Sequence, residues 1–307
     1  MKLPHPIQYQ GSKRNLAPII LRYFPKRVER VVEPFAGTAA ISIACAYRGI
    51  SKNYWLNDYN KPLIDLLELI VNKPDELSDF YEKLWSQQHS DSIKHYYKIR
   101  DEFNKTNNPK LFLYLLSRCV KGSVRYNSEG LLNQSPDKRR KGAMPTNMRK
   151  NICGVSFFLK GKVLFSSQDY KEMILNIKQN DLVYMDPPYQ GVCKDKDPRY
   201  CTSINYYEFV NFLSELNIKN IPYIISYDGK CGNKTYGNHL PDNLELTRIE
   251  LEAGRSSQAT LLGKKDITYE SLYLSKSLLR LIDTTPKDYR NQHYKQLSLF
   301  ENKSVYA

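Results

Sequence analysis

No C-x-x-C pair occurs among the six cysteines, Cys45, Cys119, Cys153, Cys193, Cys201 and Cys231, and the five histidines do not cluster with them. A structural zinc site needs close pairs of such ligands, so no metal is expected. The opening Met1-Lys2-Leu3-Pro4-His5 lacks the apolar core of a signal peptide, and no apolar run approaches the ~18 residues of a membrane span. A soluble, cytoplasmic protein with free thiols and no membrane partner is therefore expected. Acid is the other scarcity. The 307 residues hold 32 Asp and Glu against 46 Lys and Arg, a net charge of +14. From Lys138 to Gln168 there is no acid at all, while Lys138, Arg139, Arg140, Lys141, Arg149, Lys150, Lys160 and Lys162 carry positive charge. Charge focused in one window suits contacts to a polyanion better than general solubility does.

The length allows an α/β core plus a subsidiary region. Residues 31–35 read as a strand, Ala36-Gly37-Thr38 as a tight turn, and 39–47 as a helix of small residues. The strand-like Tyr54-Trp55-Leu56-Asn57 then ends at Asp58, an offset at which nucleotide-binding α/β folds place an acid on ribose hydroxyls. Residues 62–116 carry helical spacing, and 118–150 read as a polar, basic loop punctuated by Gly122, Gly130, Pro136, Gly142 and Pro145. Strands are expected at 163–165, 181–185, 221–227, 244–251 and 270–274, alternating with helices at 170–177 and 206–216. That order predicts a mostly parallel sheet.

The stretch DLVYMDPPYQG, residues 181–191, raises the sharpest question. Leu182, Val183, Tyr184 and Met185 suit a buried parallel strand, which puts Asp186 at the carboxyl end, where ligands bind in open α/β sheets. Pro187 and Pro188 fix two φ angles and remove two donors, so the turn is rigid. The resemblance of this Asp-Pro-Pro-Tyr turn to the motif of DNA adenine-N6 methyltransferases implies a chemical role. The lone pair of an exocyclic amine such as adenine N6 is delocalised into the ring, and acceptors aimed at its two protons draw it out. The Asp186 carboxylate and the Pro187 carbonyl are placed as such acceptors, and Tyr189 can stack on a base that has left the duplex.

Asp-Pro-Pro-Tyr resembles the motif of S-adenosylmethionine-dependent DNA adenine-N6 methyltransferases, and other stretches match the Dam-like alpha (D12-type) class in order. Gln8-Tyr9-Gln10-Gly11-Ser12-Lys13 resembles its opening cofactor motif, Glu33-Pro34-Phe35-Ala36-Gly37 its Gly-rich motif, and Asn57-Asp58-Tyr59-Asn60 its ribose-binding acid. Gln168-Asp169-Tyr170 resembles the acid at the cofactor's adenine, and Ile225-Ser226-Tyr227-Asp228 the strand after the catalytic one. The resemblance implies a Rossmann-like methyltransferase sheet with an inserted helical target-recognition region: residues 1–60 and 151–282 form the catalytic domain, 61–150 the insertion, and 283–307 a polar, mobile tail. It implies cofactor contacts from Tyr9, Lys13, Phe35, Gly37, Asp58, Asp169 and Asp186. Two positions depart from the pattern. Tyr9 stands where Trp is frequent, and Ala39 stands where a second Gly is usual, so a turn that needs no positive φ at Ala39 is expected.

Double-stranded DNA is the implied partner, on a protein associated with a bacterial nucleoid. In Val-Lys-Gly-Ser-Val-Arg-Tyr-Asn, Arg125 is a candidate to read a guanine edge, and Tyr126 or Asn127 to fill the space left by a flipped base. Arg139, Arg140 and Lys141, and a basic hairpin with Arg255, Lys264 and Lys265, suit phosphates. The rivals are cytosine N4, against which Asp rather than Ser at the motif's start argues, an RNA substrate, and a catalytically silent DNA-binding subunit. Both orphan enzymes and those paired with a restriction endonuclease share these motifs. In the tail, Gln296-Leu297-Ser298-Leu299-Phe300 resembles the peptide by which replication and repair proteins dock on the bacterial sliding clamp; folding back on the catalytic domain is the alternative.

Overall fold

The computed structural model describes residues 3–9, 11–88, 91–122, 124–188, 204–231, 234–236, 239–255 and 267–282. One sheet organises them, with strands β1 (Arg30–Glu33), β2 (Asn53–Asn57), β3 (Val163–Ser166), β4 (Asp181–Met185), β5 (Tyr223–Cys231), β6 (Lys234–Tyr236), β7 (Thr247–Arg255) and β8 (Ile267–Leu274). The order is β3-β2-β1-β4-β5-β8-β7, with β6 paired to the end of β5. Neighbours from β3 to β5 are parallel, and β6, β7 and β8 are antiparallel. The chain winds outward from β1 in one direction and returns through β4 in the other, so a crevice opens between the carboxyl ends of these two strands.

The composition of β4 follows from its central place. Leu182 and Tyr184 join a core cluster on one face of the sheet, Val183 and Met185 a second cluster on the other. A strand covered on both faces has no reason for polar alternation. Helix α1 (Ala17–Ile20) lies within the N-terminal segment, and α2 (Ala40–Arg48) follows β1. Small buried residues, Ala40, Ser42 and Ala44, let α2 lie close, and Gly49 ends it at φ 67°, its N–H reaching the Ala46 carbonyl.

Helices α3 (Lys61–Asn72), α4 (Pro74–Gln87), α5 (Ser92–Thr106), α6 (Pro109–Arg118) and α7 (Pro145–Leu159) form the inserted bundle, while α8 (Tyr206–Ile218) and α9 (Lys276–Leu281) flank the later strands. Every residue of α6 from Leu111 to Arg118 is buried, which makes it the bundle's central rod. Helix α7 packs on α3 and α4 but also on α2, so it joins the bundle to the sheet's cover.

Several boundaries differ from the sequence expectation. Residues 145–150 are helical, and the expected division at 150/151 falls inside α7: Pro145 starts this helix at its first turn instead of punctuating a loop, and Met148, Ile152, Val155 and Leu159 supply its buried stripe. The expected helix over 170–177 is a 3-10 helix, Tyr170–Leu175. Strand β7 begins at Thr247, because Glu245 takes a left-handed conformation after a 3-10 turn, and β5 runs on to Cys231, where β6 and β8 pair with it. The sheet is parallel only in its five-stranded half.

Ala39 corrects a further expectation. Its φ is 53°, in the left-handed region. Its N–H reaches the Ala36 carbonyl at 2.7 Å and its own carbonyl starts α2 by accepting from Ile43 at 2.9 Å. The turn between β1 and α2 needs that reversal whichever residue supplies it, and fully buried Ala39 bears roughly 1–2 kcal/mol for it. No helix among the described residues is long and apolar enough to cross a membrane.

Candidate active site

A cleft of about 340 Å³ occupies the crevice beyond β1 and β4. Asp186 follows the last residue of β4, with Pro187 buried behind it. Glu33 ends β1 and reaches the same cleft only 2% exposed. Its Oε1 accepts the Ser42 N–H at 2.8 Å. Burial pushes its carboxyl up to about 7, against the pull of the Ser42 bonds, and the Asp186 charge adds to the rise.

The Gly turn and the acid after β2 form one unit. Asp58 Oδ2 accepts the Gly37 N–H at 2.9 Å and Oδ1 accepts the Asn60 N–H at 3.0 Å. Burial raises the Asp58 carboxyl while these two donors lower it. Asn57, 1% exposed, ties three segments together: its Nδ2 donates to the carbonyls of Pro34 and Gln168, and its Oδ1 accepts from Ser166 Oγ and the Gln168 N–H. The turns after β1 and β3 thus hang on one amide side chain. Asp169 caps the 3-10 helix by accepting the Lys171 N–H, and Phe35 packs its ring on Tyr170 at 5.0 Å, both residues lining the cleft.

The N-terminal segment closes the other wall. Half-buried Tyr9 lines the cleft, and Ser12 Oγ meets Thr38 Oγ1 at 2.9 Å, fastening the segment to the Gly turn. Lys13 is almost fully buried, and its ammonium lies 2.9 Å from Asp186 Oδ1 and 3.4 Å from Glu270 Oε2. A residue expected to contact the cofactor is thus engaged with the acid expected to do the chemistry. Gly122 rests on this segment so closely that a Cβ there would stand 3.0 Å from the Gln8 and Tyr9 backbone.

The candidate DNA-reading residues separate. Arg125 is exposed. Tyr126 faces inward instead, lining the cleft with its hydroxyl bonded by Asn60 Nδ2 at 2.9 Å. The Asn127 side chain closes its own turn, accepting from the N–H groups of Glu129 and Leu131. Lys138, Arg139, Arg140 and Lys141 are all exposed, on a turn anchored from behind: Asp137 Oδ1 accepts the Arg139 and Arg140 N–H groups, and buried Gln88 donates to the Lys141 carbonyl. Arg149 leaves the basic group, since its guanidinium sits among Asp75, Asp79 and Glu82 of α4. Strands β7 and β8 form the expected hairpin, pairing Arg255 with Ile267. Tyr189, the Arg255 side chain, Lys264, Lys265, and Gln296, Leu297, Leu299 and Phe300 lie outside the described residues.

A family model, D12 class N6 adenine-specific DNA methyltransferase, matches residues 9–256. The chain belongs to this family. Among its relatives, the retron Ec67 DNA adenine methylase of Escherichia coli is 25% identical over 262 residues, 83% of this chain and 88% of that one. The DNA adenine methylase of Escherichia coli is 28% identical over 187 residues, 60% of this chain and 64% of that one. The type II methyltransferase M.MjaIII of Methanocaldococcus jannaschii is 26% identical over 219 residues, 66% and 74% of the two chains. For this DNA adenine methyltransferase the family decides between adenine N6 and cytosine N4, and a methyl donor and DNA are its substrates. Glu33 and Asn57 were visible as letters of its motifs, but their work was not. Glu270 belongs to none of the motifs quoted above.

Proposed function

We propose that the cleft binds S-adenosylmethionine beside an adenine flipped out of duplex DNA, and that the Asp186 carboxylate and the Pro187 carbonyl accept hydrogen bonds from the two N6–H groups while the methyl passes in line to nitrogen, the sulfonium leaving as a neutral thioether and one N6 proton being lost. The observation that carries this reading is the place of Asp186 at the carboxyl end of β4, on a turn fixed by two prolines at the crevice of the sheet. The lining suits that donor: a buried acid, Glu33, for positive charge, a second acid held on the Gly turn, Asp58, for hydroxyls, and Phe35 with Tyr170 for a ring. Tyr9, Gly37 and Asp169 complete the contacts. The donor supplies an electrophilic methyl on a sulfonium. The protein's residues orient it, keep water out and polarise the amine. Transfer of labelled methyl from S-adenosylmethionine to unmodified DNA, followed by identification of the modified base, tests the reading. Label on any base other than adenine, or none at all, sinks it.

The bundle from residue 61 onward, with its exposed basic turn, is the proposed target-recognition region. Arg139 and Lys141 position the duplex through phosphates and Arg125 reads a base edge. Arg139→Ala and Lys141→Ala are each expected to weaken binding to every duplex about alike and to flatten the salt dependence of log K by roughly one unit. Arg125→Ala is expected to relax preference at one base pair. Titrations at several salt concentrations check both, and identical effects on specificity would overturn the division. Two partners remain proposals: a cognate restriction endonuclease, and the sliding clamp through Gln296, Leu297, Leu299 and Phe300, which calorimetry with a peptide of residues 295–302 decides.

A further inference from the structure

Two carboxylates among the described residues lie within ion-pair distance of the Lys13 ammonium. One is Asp186 Oδ1 at 2.9 Å and the other is Glu270 Oε2 at 3.4 Å, and the ammonium also donates to the Gly11 carbonyl. The two carboxylates differ in how well they are satisfied. Glu270 Oε2 is buried and receives no hydrogen bond among the described residues; at 3.4 Å it holds the ammonium by charge alone. A buried carboxylate oxygen without a donor is costly, and it has a reason to persist only if a donor reaches it at some stage of the cycle.

The sheet explains how a residue so distant in sequence arrives here. Tyr184 pairs with Ile224 in β5, and the Tyr184 hydroxyl meets Ser226 Oγ at 2.9 Å, which sets Asp186 on the Ser226 side of the sheet. Ser226 pairs with Leu272 in β8, and Glu270 lies two residues from Leu272, on the same face. A register shift between Ser226 and Gly229 then sets Gly229 opposite Glu270, and a Cβ on Gly229 would stand 2.6 Å from the Tyr269 carbonyl. The backbones meet there closely enough that only glycine fits.

We infer that Glu270 is a positioning residue that receives the Lys13 ammonium when the adenine amine engages Asp186. The inference rests on the proposed role of Asp186. While the cleft holds no adenine, Lys13 neutralises the Asp186 carboxylate, whose desolvation would otherwise be costly. An ammonium held on the same carboxylate competes with N6–H for its electron density and weakens it as an acceptor. A shift of the ammonium toward Glu270 restores that strength without exposing a bare cation. No covalent bond changes in this step.

Among the described residues, the charged and titratable groups around Asp186 include Lys13 from the N-terminal segment, Glu33 at the end of β1, Tyr184 on β4 and, through Lys13, Glu270 on β8; Asp58, Asp169 and Glu208 line the same cleft. Removing the Glu270 charge takes away one like charge and confines Lys13 to Asp186. Both effects make Asp186 more acidic, so the acid limb of the rate profile moves to lower pH even as the rate falls.

The test uses the full chain, unmodified plasmid DNA and labelled S-adenosylmethionine under single-turnover conditions. Glu270→Gln is expected to slow transfer about tenfold or more, to shift the acid limb downward, and to leave cofactor affinity within about twofold. Glu270→Asp keeps the charge but withdraws it by one methylene, and is expected to recover part of the rate. Should Glu270→Gln fail to fold, Glu270→Asp alone carries the test, with a smaller loss and a limb shift of the same sign. An unchanged rate and limb overturn the inference, as does a loss confined to melting temperature or cofactor affinity. Asp186→Asn, run in parallel, separates the two levels. If its rate stays within about threefold of wild type the proposed function itself fails, and if it is slowed by about 10²-fold or more while the Glu270 variants behave as wild type, only the role of Glu270 falls.

Discussion

Asp186→Asn is expected to slow methyl transfer by about 10²–10³-fold while S-adenosylmethionine binding changes by no more than a few-fold. The side chain keeps its volume and one oxygen, so the turn after β4, held by Pro187 and Pro188, has no cause to move. What disappears is the negative charge, whose value is largest when the N6 protons become acidic as the new N–C bond forms. An interaction stronger in the transition state than in the ground state appears in kcat and not in KM. The loss is not total, because the Pro187 carbonyl remains as the second proposed acceptor. The Asn oxygen can still accept from the Lys13 ammonium, which loses only the charge of that partner and retains Glu270, and this limits the cost to folding. Single-turnover rates beside calorimetric donor affinity check this. A rate within threefold of wild type would remove Asp186 from the chemistry.

The central half of the molecule was legible because its residues answer to local rules. An apolar run covered on both faces, ending in an acid and two prolines, places β4 and its crevice without any knowledge of the neighbours. The errors arise where distant parts decide. Ala39 carries no signal for a left-handed conformation; the requirement comes from the turn that joins β1 to α2. Pro145 reads equally as a loop residue or as the first turn of a helix, and only the packing of Met148, Ile152 and Val155 against the bundle settles it. Tyr126 and Asn127 stand in the sequence as candidates to fill the space left by a flipped base, and nothing there tells that Asn60 draws one inward while the other closes its own turn. Glu270 reaches Lys13 only through the register of β8 on β5. No spacing in the sequence encodes that approach.

Glu33→Gln is expected to separate the stability of the ligand-free protein from its affinity for the donor. Below pH about 4.5 the Glu33 carboxyl is protonated in the folded and the unfolded chain alike, and its contribution to stability is fully present. As pH rises, the unfolded chain ionises first, and stability is lost until the folded carboxyl also ionises near 7, beyond which nothing further is lost. The penalty at pH 8 is about 3 kcal/mol, set chiefly by burial. Gln, of the same shape and never charged, escapes it, so the variant is expected to be more stable than wild type at pH 8 and about equal at pH 4. Donor binding should show the opposite preference. A sulfonium and an ammonium in the cleft favour the ionised carboxylate, and Glu33 then releases a proton as the donor binds near pH 6.5. Calorimetric heats measured there in buffers of different ionisation enthalpy are expected to reveal that proton in wild type and none in Glu33→Gln, with donor affinity in the variant about tenfold weaker at pH 8. Heats independent of buffer in the wild type, with parallel stability curves for the two proteins from pH 4 to pH 8, would mean that folding does not shift the Glu33 carboxyl and that its burial carries no ionisation penalty.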